Sequence, residues 1–130
     1  MVRTAVKQAK YGLGLFASHA IKHYRRIRDR QVVASFDGKR MSAKKWESFH
    51  VKKGIPHDAG LHFFNYVIYD PSFTHDHTPR WYRLNHSFHP NVKMYKHGTQ
   101  VQWKTLRPIK KGEELRFDYG HADPSWDPND

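Results

Sequence analysis

Residues 85–91 of this chain read Asn85-His86-Ser87-Phe88-His89-Pro90-Asn91. A second phrase lies downstream and reads Gly112-Glu113-Glu114-Leu115-Arg116-Phe117-Asp118-Tyr119-Gly120. A third, near the start, reads Tyr11-Gly12-Leu13-Gly14-Leu15-Phe16-Ala17. Each phrase alone has an ordinary explanation, because Gly-x-Gly occurs in many turns and aromatic residues at a spacing of two fit any strand. What is informative is that all three phrases occur together within 130 residues, in the chain order 11–17, 85–91 and 112–120.

The composition permits one globular domain and excludes several other classes of protein. Of the 130 residues, 38% are apolar and 15% are aromatic, which is enough for a single hydrophobic core. The chain contains no cysteine, so neither a disulfide framework nor a thiolate zinc site is available. No apolar run reaches membrane-spanning length, and residues 1–20 carry lysines and glycines where a signal peptide needs an unbroken apolar stretch. We therefore expect an intracellular protein that is neither secreted nor bound to a membrane.

Short strands joined by turns are the predicted secondary structure. Segments rich in β-branched and aromatic residues predict strands over residues 31–36, 62–69, 91–95, 99–106 and 115–117, the third and fourth forming a hairpin across residues 96–98. Ser42 can cap a brief helix over residues 43–49. Helices do not alternate with strands, which argues against a doubly wound parallel sheet. The pattern predicts a mostly β domain with a few short helices.

The three phrases together resemble the signatures of the SET-domain protein lysine methyltransferases. That family has a Gly-x-Gly near its start, an Asn-His-Ser…Pro-Asn stretch and a Glu-Glu-Leu-x-Phe-Asp-Tyr ending, matched here by residues 11–17, 85–91 and 112–120. The resemblance implies one SET domain over residues 1–130, a minimal core without the Cys-rich modules that flank many relatives. It further implies a SET fold of small β-sheets, with a C-terminal pseudoknot in which the last segment threads under a loop near the Asn-His-Ser phrase.

The activity implied by this resemblance is the transfer of a methyl group from S-adenosylmethionine to a protein lysine. Free lysine has a pKa of about 10.4 and is almost wholly charged at neutral pH, so it is a poor nucleophile. An aromatic channel removes water from the ammonium, and the nearby sulfonium charge also lowers the lysine pKa. Confinement in such a channel then supplies the orientation that the reaction needs.

Roles for individual residues follow from the same resemblance. Tyr119 corresponds to the catalytic tyrosine, while Phe117 and Tyr66 are expected to line the substrate channel and to set product specificity. Because Phe117 lacks the hydroxyl of a tyrosine, we expect di- or trimethylated products. The residues expected to bind S-adenosylmethionine are Gly12, Leu13, Gly14, Asn85, His86 and Trp126.

Positive charge is concentrated in the first part of the chain. Residues 1–53 hold 14 Lys and Arg against 3 Asp and Glu, a net charge of +11, whereas residues 54–130 carry no net charge. The densest stretch, Lys22 to Arg30, could follow the phosphates of nucleic acid or of a nucleosome, or face acidic lipid, although a solvated loop or strand face is the slightly favoured explanation. Residues 54–79 contain no Lys or Arg and suit a basic peptide. The resemblance to lysine methyltransferases makes a histone tail the expected substrate, which favours a chromatin-associated location.

Two alternatives to this function remain open. The first is a catalytically inactive SET-like module that binds chromatin or nucleic acid through the basic N-terminal half, although the presence of Tyr119 argues against it. The second is a non-haem iron site built from His75, Asp76 and His77 with other histidines, namely His57, His62 and His89. Their spacing is not distinctive and leaves the three phrases unexplained, so we expect no bound metal.

Overall fold

Ten short strands and one helix organise the part of the chain that the computed structural model describes, residues 2–121. The strands are β1 Thr4–Ala9, β2 Gly12–Ala17, β3 Val32–Asp37, β4 Lys39–Ser42, β5 Gly60–His62, β6 Tyr66–Tyr69, β7 Asn85–His86, β8 Val92–His97, β9 Gln100–Thr105 and β10 Glu114–Phe117. The helix is α1 Ala43–Lys53, and four single 3-10 turns cover Ile27–Asp29, His57–Ala59, Arg80–Arg83 and Tyr119–His121. The prediction of a mostly β domain is confirmed.

The strands form three small sheets. Their orders are β1-β2-β10-β7, β3-β9-β8 and β4-β6-β5. Neighbouring strands are antiparallel except for β7 and β10, which are parallel. Parallel neighbours cannot be joined by a tight turn. The chain therefore leaves β7, forms the β8–β9 hairpin in another sheet, and returns as β10 beside the strand that it left.

In two of the predicted β segments, the chain reverses direction at a position other than the one expected. The predicted strand over residues 62–69 is wrong, because the chain turns back at residues 63–65 and forms the separate strands β5 and β6. A hydrogen bond from Phe63 N to Tyr66 O, 2.9 Å long, closes this turn, and Phe64 at its tip is 92% exposed. The predicted β8–β9 hairpin is present, but its turn lies at residues 98–99, where Gly98 adopts a left-handed φ of 64°.

The helix begins at the predicted residue and continues beyond the predicted end. Ser42 caps it, since its Oγ accepts a hydrogen bond of 3.1 Å from Lys45 N. Gly54 ends it with a φ of 69°, a left-handed conformation that glycine adopts without a steric penalty. The helix thus gains a further turn after Phe49, and this turn carries His50. Trp46 faces inward, is fully buried, and stacks on Tyr69 at a ring-centroid distance of 5.1 Å.

Aromatic side chains form the centre of the core. Trp103 of β9 is fully buried and stacks on Trp81, with ring centroids 5.6 Å apart and an interplanar angle of 10°. Trp81 also stacks on Phe36 of β3 at 5.0 Å. The indole Nε1 of Trp81 donates a hydrogen bond of 2.7 Å to the buried carboxylate of Asp70, which follows β6. These contacts join the second and third sheets into one hydrophobic core.

The C-terminal strand passes beside the loop formed by residues 85–91. Strand β10 lies between β2 and β7, pairing with β2 through Glu114 and Leu115 and with β7 through Arg116 and Phe117. A further hydrogen bond, from Ser87 N to Phe117 O at 3.1 Å, extends this pairing. The crossing confirms the expected pseudoknot arrangement.

Asn91 fixes this crossing from the inside. Its side chain is almost fully buried, with the amide Nδ2 donating 2.8 Å to Glu114 O and the amide Oδ1 accepting 2.9 Å from Arg116 N. The same Nδ2 donates 3.2 Å to the carboxylate of Glu113. Arg107 also pairs with this carboxylate and is the main cause that lowers the pKa of Glu113 to about 2. Asn91 therefore satisfies the backbone of β10 on both sides of Leu115.

We expect Asn91→Asp to destabilise the fold strongly. The change replaces the Nδ2 donor by an oxygen that faces the Glu114 carbonyl and the Glu113 carboxylate, and it buries a second negative charge. The expected loss is about 3 kcal/mol in the free energy of unfolding, since buried unsatisfied groups cost roughly 1–3 kcal/mol and charged ones more. Urea denaturation would measure it, with Asn65→Asp as the control because Asn65 is exposed and undergoes the same change of charge. Equal effects of the two substitutions would refute this role of Asn91.

Candidate functional site

Two cavities meet at Tyr119, immediately after the end of β10. The first, which we call the apolar cavity, has a volume of about 330 Å³. It is lined by His57, Asp58, Gly60, Leu61, His62, Trp81, Tyr82, Leu84, Met94, Phe117 and Tyr119. The second, the polar cavity, has a volume of about 470 Å³ and is lined by Ala9, Lys10, Tyr11, Asn85, His86, Glu114, Arg116 and Tyr119. Among these lining residues, Tyr119 alone belongs to both cavities.

Tyr119 is held in place at both its backbone and its hydroxyl. Its backbone N donates a hydrogen bond of 3.0 Å to His86 Nδ1, and its hydroxyl donates one of 2.6 Å to Leu84 O. Burial, and secondarily the negative charge of Glu114, raise the pKa of the Tyr119 phenol. The hydroxyl is therefore neutral at physiological pH. Because its hydrogen is directed to the Leu84 carbonyl, the phenol oxygen is left with lone pairs to offer to a donor.

Phe117 forms the inner wall of the apolar cavity. Its ring centroid lies 4.7 Å from that of Tyr119 and 5.7 Å from that of the buried Trp103, and only 8% of the residue is exposed. Phe117 ends β10 and Tyr119 begins the 3-10 turn that follows it, and their rings meet at the end of the pseudoknot. The structure thus brings these two predicted site residues together.

Tyr66 does not join them, contrary to the expectation that it lines the same channel. Its ring is buried against Phe63, at a centroid distance of 5.2 Å, and the guanidinium of Arg40 lies 3.8 Å from the ring centroid. Tyr66 lines a different, open cavity together with Arg40 and Asn65. Tyr66 is not among the residues that line the apolar cavity.

Asn85 and His86, which were expected to bind S-adenosylmethionine, lie in the wall of the polar cavity. The side-chain Nδ2 of Asn85 donates 3.1 Å to Leu13 O and 2.8 Å to the carboxylate of Glu114. Within residues 2–121, the Asn85 Oδ1 accepts no hydrogen bond and remains available to a donor. The Glu114 carboxylate is also paired with Arg116, 2.8 Å from its Nε. These polar groups form a connected set on one side of the cavity.

The glycines of the first phrase act mainly through the backbone and through packing. Gly12 has a φ of 102°, a conformation that favours glycine, and it closes the β1–β2 turn. A Cβ on Gly14 would collide with the Glu114 carboxylate and lie 3.1 Å from the Ala9 Cβ. Gly12, Leu13 and Gly14 do not themselves line the polar cavity. Instead, the absence of a Cβ at Gly14 leaves space for the Glu114 carboxylate, and the Leu13 carbonyl accepts a hydrogen bond from the Asn85 side chain.

Sequence reasoning missed several residues of the polar cavity. Lys10 and the 85% exposed Tyr11 stand at the tip of the β1–β2 hairpin, and Glu114 and Arg116 project from β10. Tyr11, Glu114 and Arg116 lie inside the quoted phrases. The phrases therefore pointed to these residues, but they served only to identify the motifs and were not predicted to bind a ligand. The predicted site residue Trp126 lies outside the described residues.

Most residues of the alternative iron site do not come together in one group. Within residues 2–121, one group of three or more ligating side chains has its ligand atoms within 4.8 Å of one another, namely Glu47, His50 and His57. His75, Asp76, His77 and His89 are not part of it.

No helix in this part of the chain is long and apolar enough to cross a membrane.

The sequence of this chain matches a known protein family. The SET domain family matches residues 12–120. No curated protein sequence matches the chain. A similar solved structure is a candidate histone methyltransferase of Plasmodium falciparum, with a TM-score of 0.57 and 20% identity over 93% of this chain and 96% of that one.

A second similar structure is a humanized mutant of the Chaetomium thermophilum Polycomb Repressive Complex 2 bound to an inhibitor. It has a TM-score of 0.62 and 19% identity over 94% of this chain, and the match covers 16% of that longer chain. At these identities the two structures show a shared fold.

Proposed function

Because the chain belongs to the SET-domain family, we propose that it transfers methyl groups from S-adenosylmethionine to the side-chain amine of a protein lysine. The observation that carries the proposal is the position of Tyr119 between two cavities of different character. A reaction between a polar cofactor and an amine on a long apolar stem needs two binding sites that meet at the reacting atoms. One tyrosine hydroxyl at their junction satisfies that requirement.

The polar cavity fits the cofactor by the chemistry of its side chains. Lys10 and Arg116 can pair with a carboxylate, and the free Oδ1 of Asn85 can accept from an ammonium group. The exposed rings of Tyr11 and His86 offer flat surfaces for a purine. When bound there, S-adenosylmethionine would supply the electrophilic methyl group. We assign Gly12, Leu13 and Gly14 an indirect part, which is to position Asn85 and Glu114.

The apolar cavity prepares the amine. Its walls of Trp81, Met94 and Phe117 would remove water from a lysine ammonium and so lower its pKa, which favours loss of the proton. The Tyr119 oxygen, whose own hydrogen is donated to Leu84 O, can accept a hydrogen bond from the amine and orient its lone pair. Orientation and desolvation are the contributions that this chain makes to the reaction.

A histone tail is the proposed substrate. Strand β5 is at the edge of its sheet, next to β6, and residues 60–62 also line the apolar cavity. An extended peptide can therefore pair with β5 while one lysine enters the cavity. The absence of Lys and Arg from residues 54–79 suits a basic tail, and both solved relatives are described as histone methyltransferase or Polycomb assemblies. This substrate would place the protein on chromatin.

Tyr119→Phe tests the catalytic role. The change removes one oxygen and keeps the ring, so turnover of a histone peptide should fall by roughly a hundredfold or more, the scale of losing one positioned polar group. The affinity for S-adenosylmethionine, measured by calorimetry, should change little, because the hydroxyl acts on the amine and methyl. Tyr24→Phe is the control, since Tyr24 is a partly exposed phenol outside both cavities. Wild-type turnover by a folded Tyr119→Phe protein would exclude this role.

Phe117 gives a prediction about the number of methyl groups. Its ring has no hydroxyl and borders the apolar cavity, which leaves room for a partly methylated amine to turn. We expect the wild type to form di- or trimethyllysine and Phe117→Tyr to shift the product towards monomethyllysine, because the added hydroxyl occupies space and can hold a water molecule. Mass spectrometry of the peptide would measure the distribution. A wild-type enzyme that stops at monomethyllysine contradicts the prediction.

A second candidate function is binding to nucleic acid through the basic segment, residues 22–30. Arg25, Arg26 and Arg28 are exposed around the Ile27–Asp29 turn, and among the described residues their guanidinium groups form no salt bridge. Unpaired surface cations of this density are suited to phosphate contacts. This activity would hold a nucleosome near the site and does not require catalysis.

Replacing Arg25, Arg26 and Arg28 with Ala should weaken nucleosome binding and flatten its dependence on salt. Three lost phosphate contacts should reduce the slope of log affinity against log salt by about 3 units. The matched control replaces Lys44, Lys52 and Lys53 of α1, which removes the same charge elsewhere on the surface. If the control weakens binding equally, overall charge and not the basic segment is responsible.

A further inference from the structure

A cluster of ligating side chains lies where the end of α1 meets the following 3-10 turn. Glu47 and His50 are three residues apart on one face of the helix, and His57 opens the turn at residues 57–59. The ligand atoms of these three residues lie within 4.8 Å of one another. His62 of β5 lies outside that group but next to it, with its Nε2 3.8 Å from Glu47 Oε1. The cluster combines three imidazoles with one carboxylate.

One separation between ligand atoms in the cluster matches the spacing that a tetrahedral metal ion imposes. Zinc bonds to nitrogen and oxygen of about 2.0–2.1 Å place neighbouring ligand atoms roughly 3.3–3.4 Å apart. His57 Nε2 already lies 3.3 Å from Glu47 Oε1. The His50 and His57 ring centroids are 5.0 Å apart, and those of His57 and His62 are 5.2 Å apart. Coordination of one ion by all four residues requires the side chain of His62 to move towards the other three.

His50 is already oriented as a metal ligand. Its Nδ1 lies 3.0 Å from the carbonyl oxygen of Ile55, and a carbonyl only accepts, so Nδ1 must carry the hydrogen. The neutral ring therefore presents the lone pair of Nε2. A backbone carbonyl that holds the second nitrogen in this way is a common outer partner of zinc-bound histidine.

We propose that Glu47, His50, His57 and His62 form a binding site for zinc or a similar divalent transition ion. Three neutral imidazoles and a carboxylate suit zinc, and the absence of thiolates makes no difference to such a site. The site links α1 to residues 57–62, which form one wall of the apolar cavity and include the edge strand β5. Metal binding would fix this wall relative to the helix.

Metal titration of the chain without an affinity tag tests the proposal. Protein freed of metal with a chelator should bind one zinc ion per chain in calorimetry, and cobalt(II) should give the intense visible absorption of a tetrahedral site. Glu47→Gln and His57→Gln should each weaken zinc binding at least tenfold, because even the loss of an outer partner of a ligand costs roughly 10- to 100-fold. Zinc should raise the melting temperature of the wild type by mass action.

The control carries His75→Gln and His77→Gln, two exposed histidines outside the cluster. It should bind zinc as the wild type does. Amide hydrogen exchange over residues 57–62 should slow when zinc is added to the wild type. The proposal fails if no zinc binds, if the control loses affinity as the Glu47 and His57 variants do, or if bound zinc leaves exchange over residues 57–62 unchanged.

Discussion

The buried amide of Asn91 is the constraint on which the rest of the structure depends. Strand β10 has to be held between β2 and β7 although it arrives there after a long excursion through the β8–β9 hairpin. Asn91 supplies an acceptor for Arg116 N and a donor for Glu114 O, so the strand is bound on its inner side by a side chain as well as by its neighbours. An apolar residue would leave these backbone groups buried without partners, and a charged one would add a desolvation cost.

The site follows from this crossing. Because β10 is fixed in register against β7, Phe117 ends beside the aromatic core and Tyr119 emerges where the two cavities meet. The same strand carries Glu114, whose carboxylate fills the space left by Gly14 and binds the Asn85 amide. All three phrases of the sequence therefore converge on one short strand. The pseudoknot thus brings segments that are distant in the sequence to one point.

The sequence predicted features that depend on residues close together in the chain, and it did not predict contacts between residues far apart in the chain. Local signals worked: Ser42 marked the helix start, and alternating aromatic and β-branched residues marked β3 and β9. The strands β1 and β2 and the turn at residues 63–65 were missed, because a short apolar run does not reveal where the chain reverses. Asn91 pairs with β10, and His57 approaches Glu47. Each of these contacts joins two segments whose proximity cannot be inferred from a local sequence pattern.

The distribution of charge suits the two proposed binding surfaces, one for a basic tail and one for phosphates. A chain with a net charge of +11 repels a basic tail at long range, yet the segment that borders the apolar cavity has no Lys or Arg between residues 54 and 79. At physiological salt the Debye length is about 8 Å, so cations farther away are largely screened from a tail bound at β5. Phosphates at the basic segment would neutralise the remaining repulsion. A substrate that carries its basic tail next to its own polyanion would therefore satisfy both surfaces at once, whereas a free basic peptide would satisfy only one.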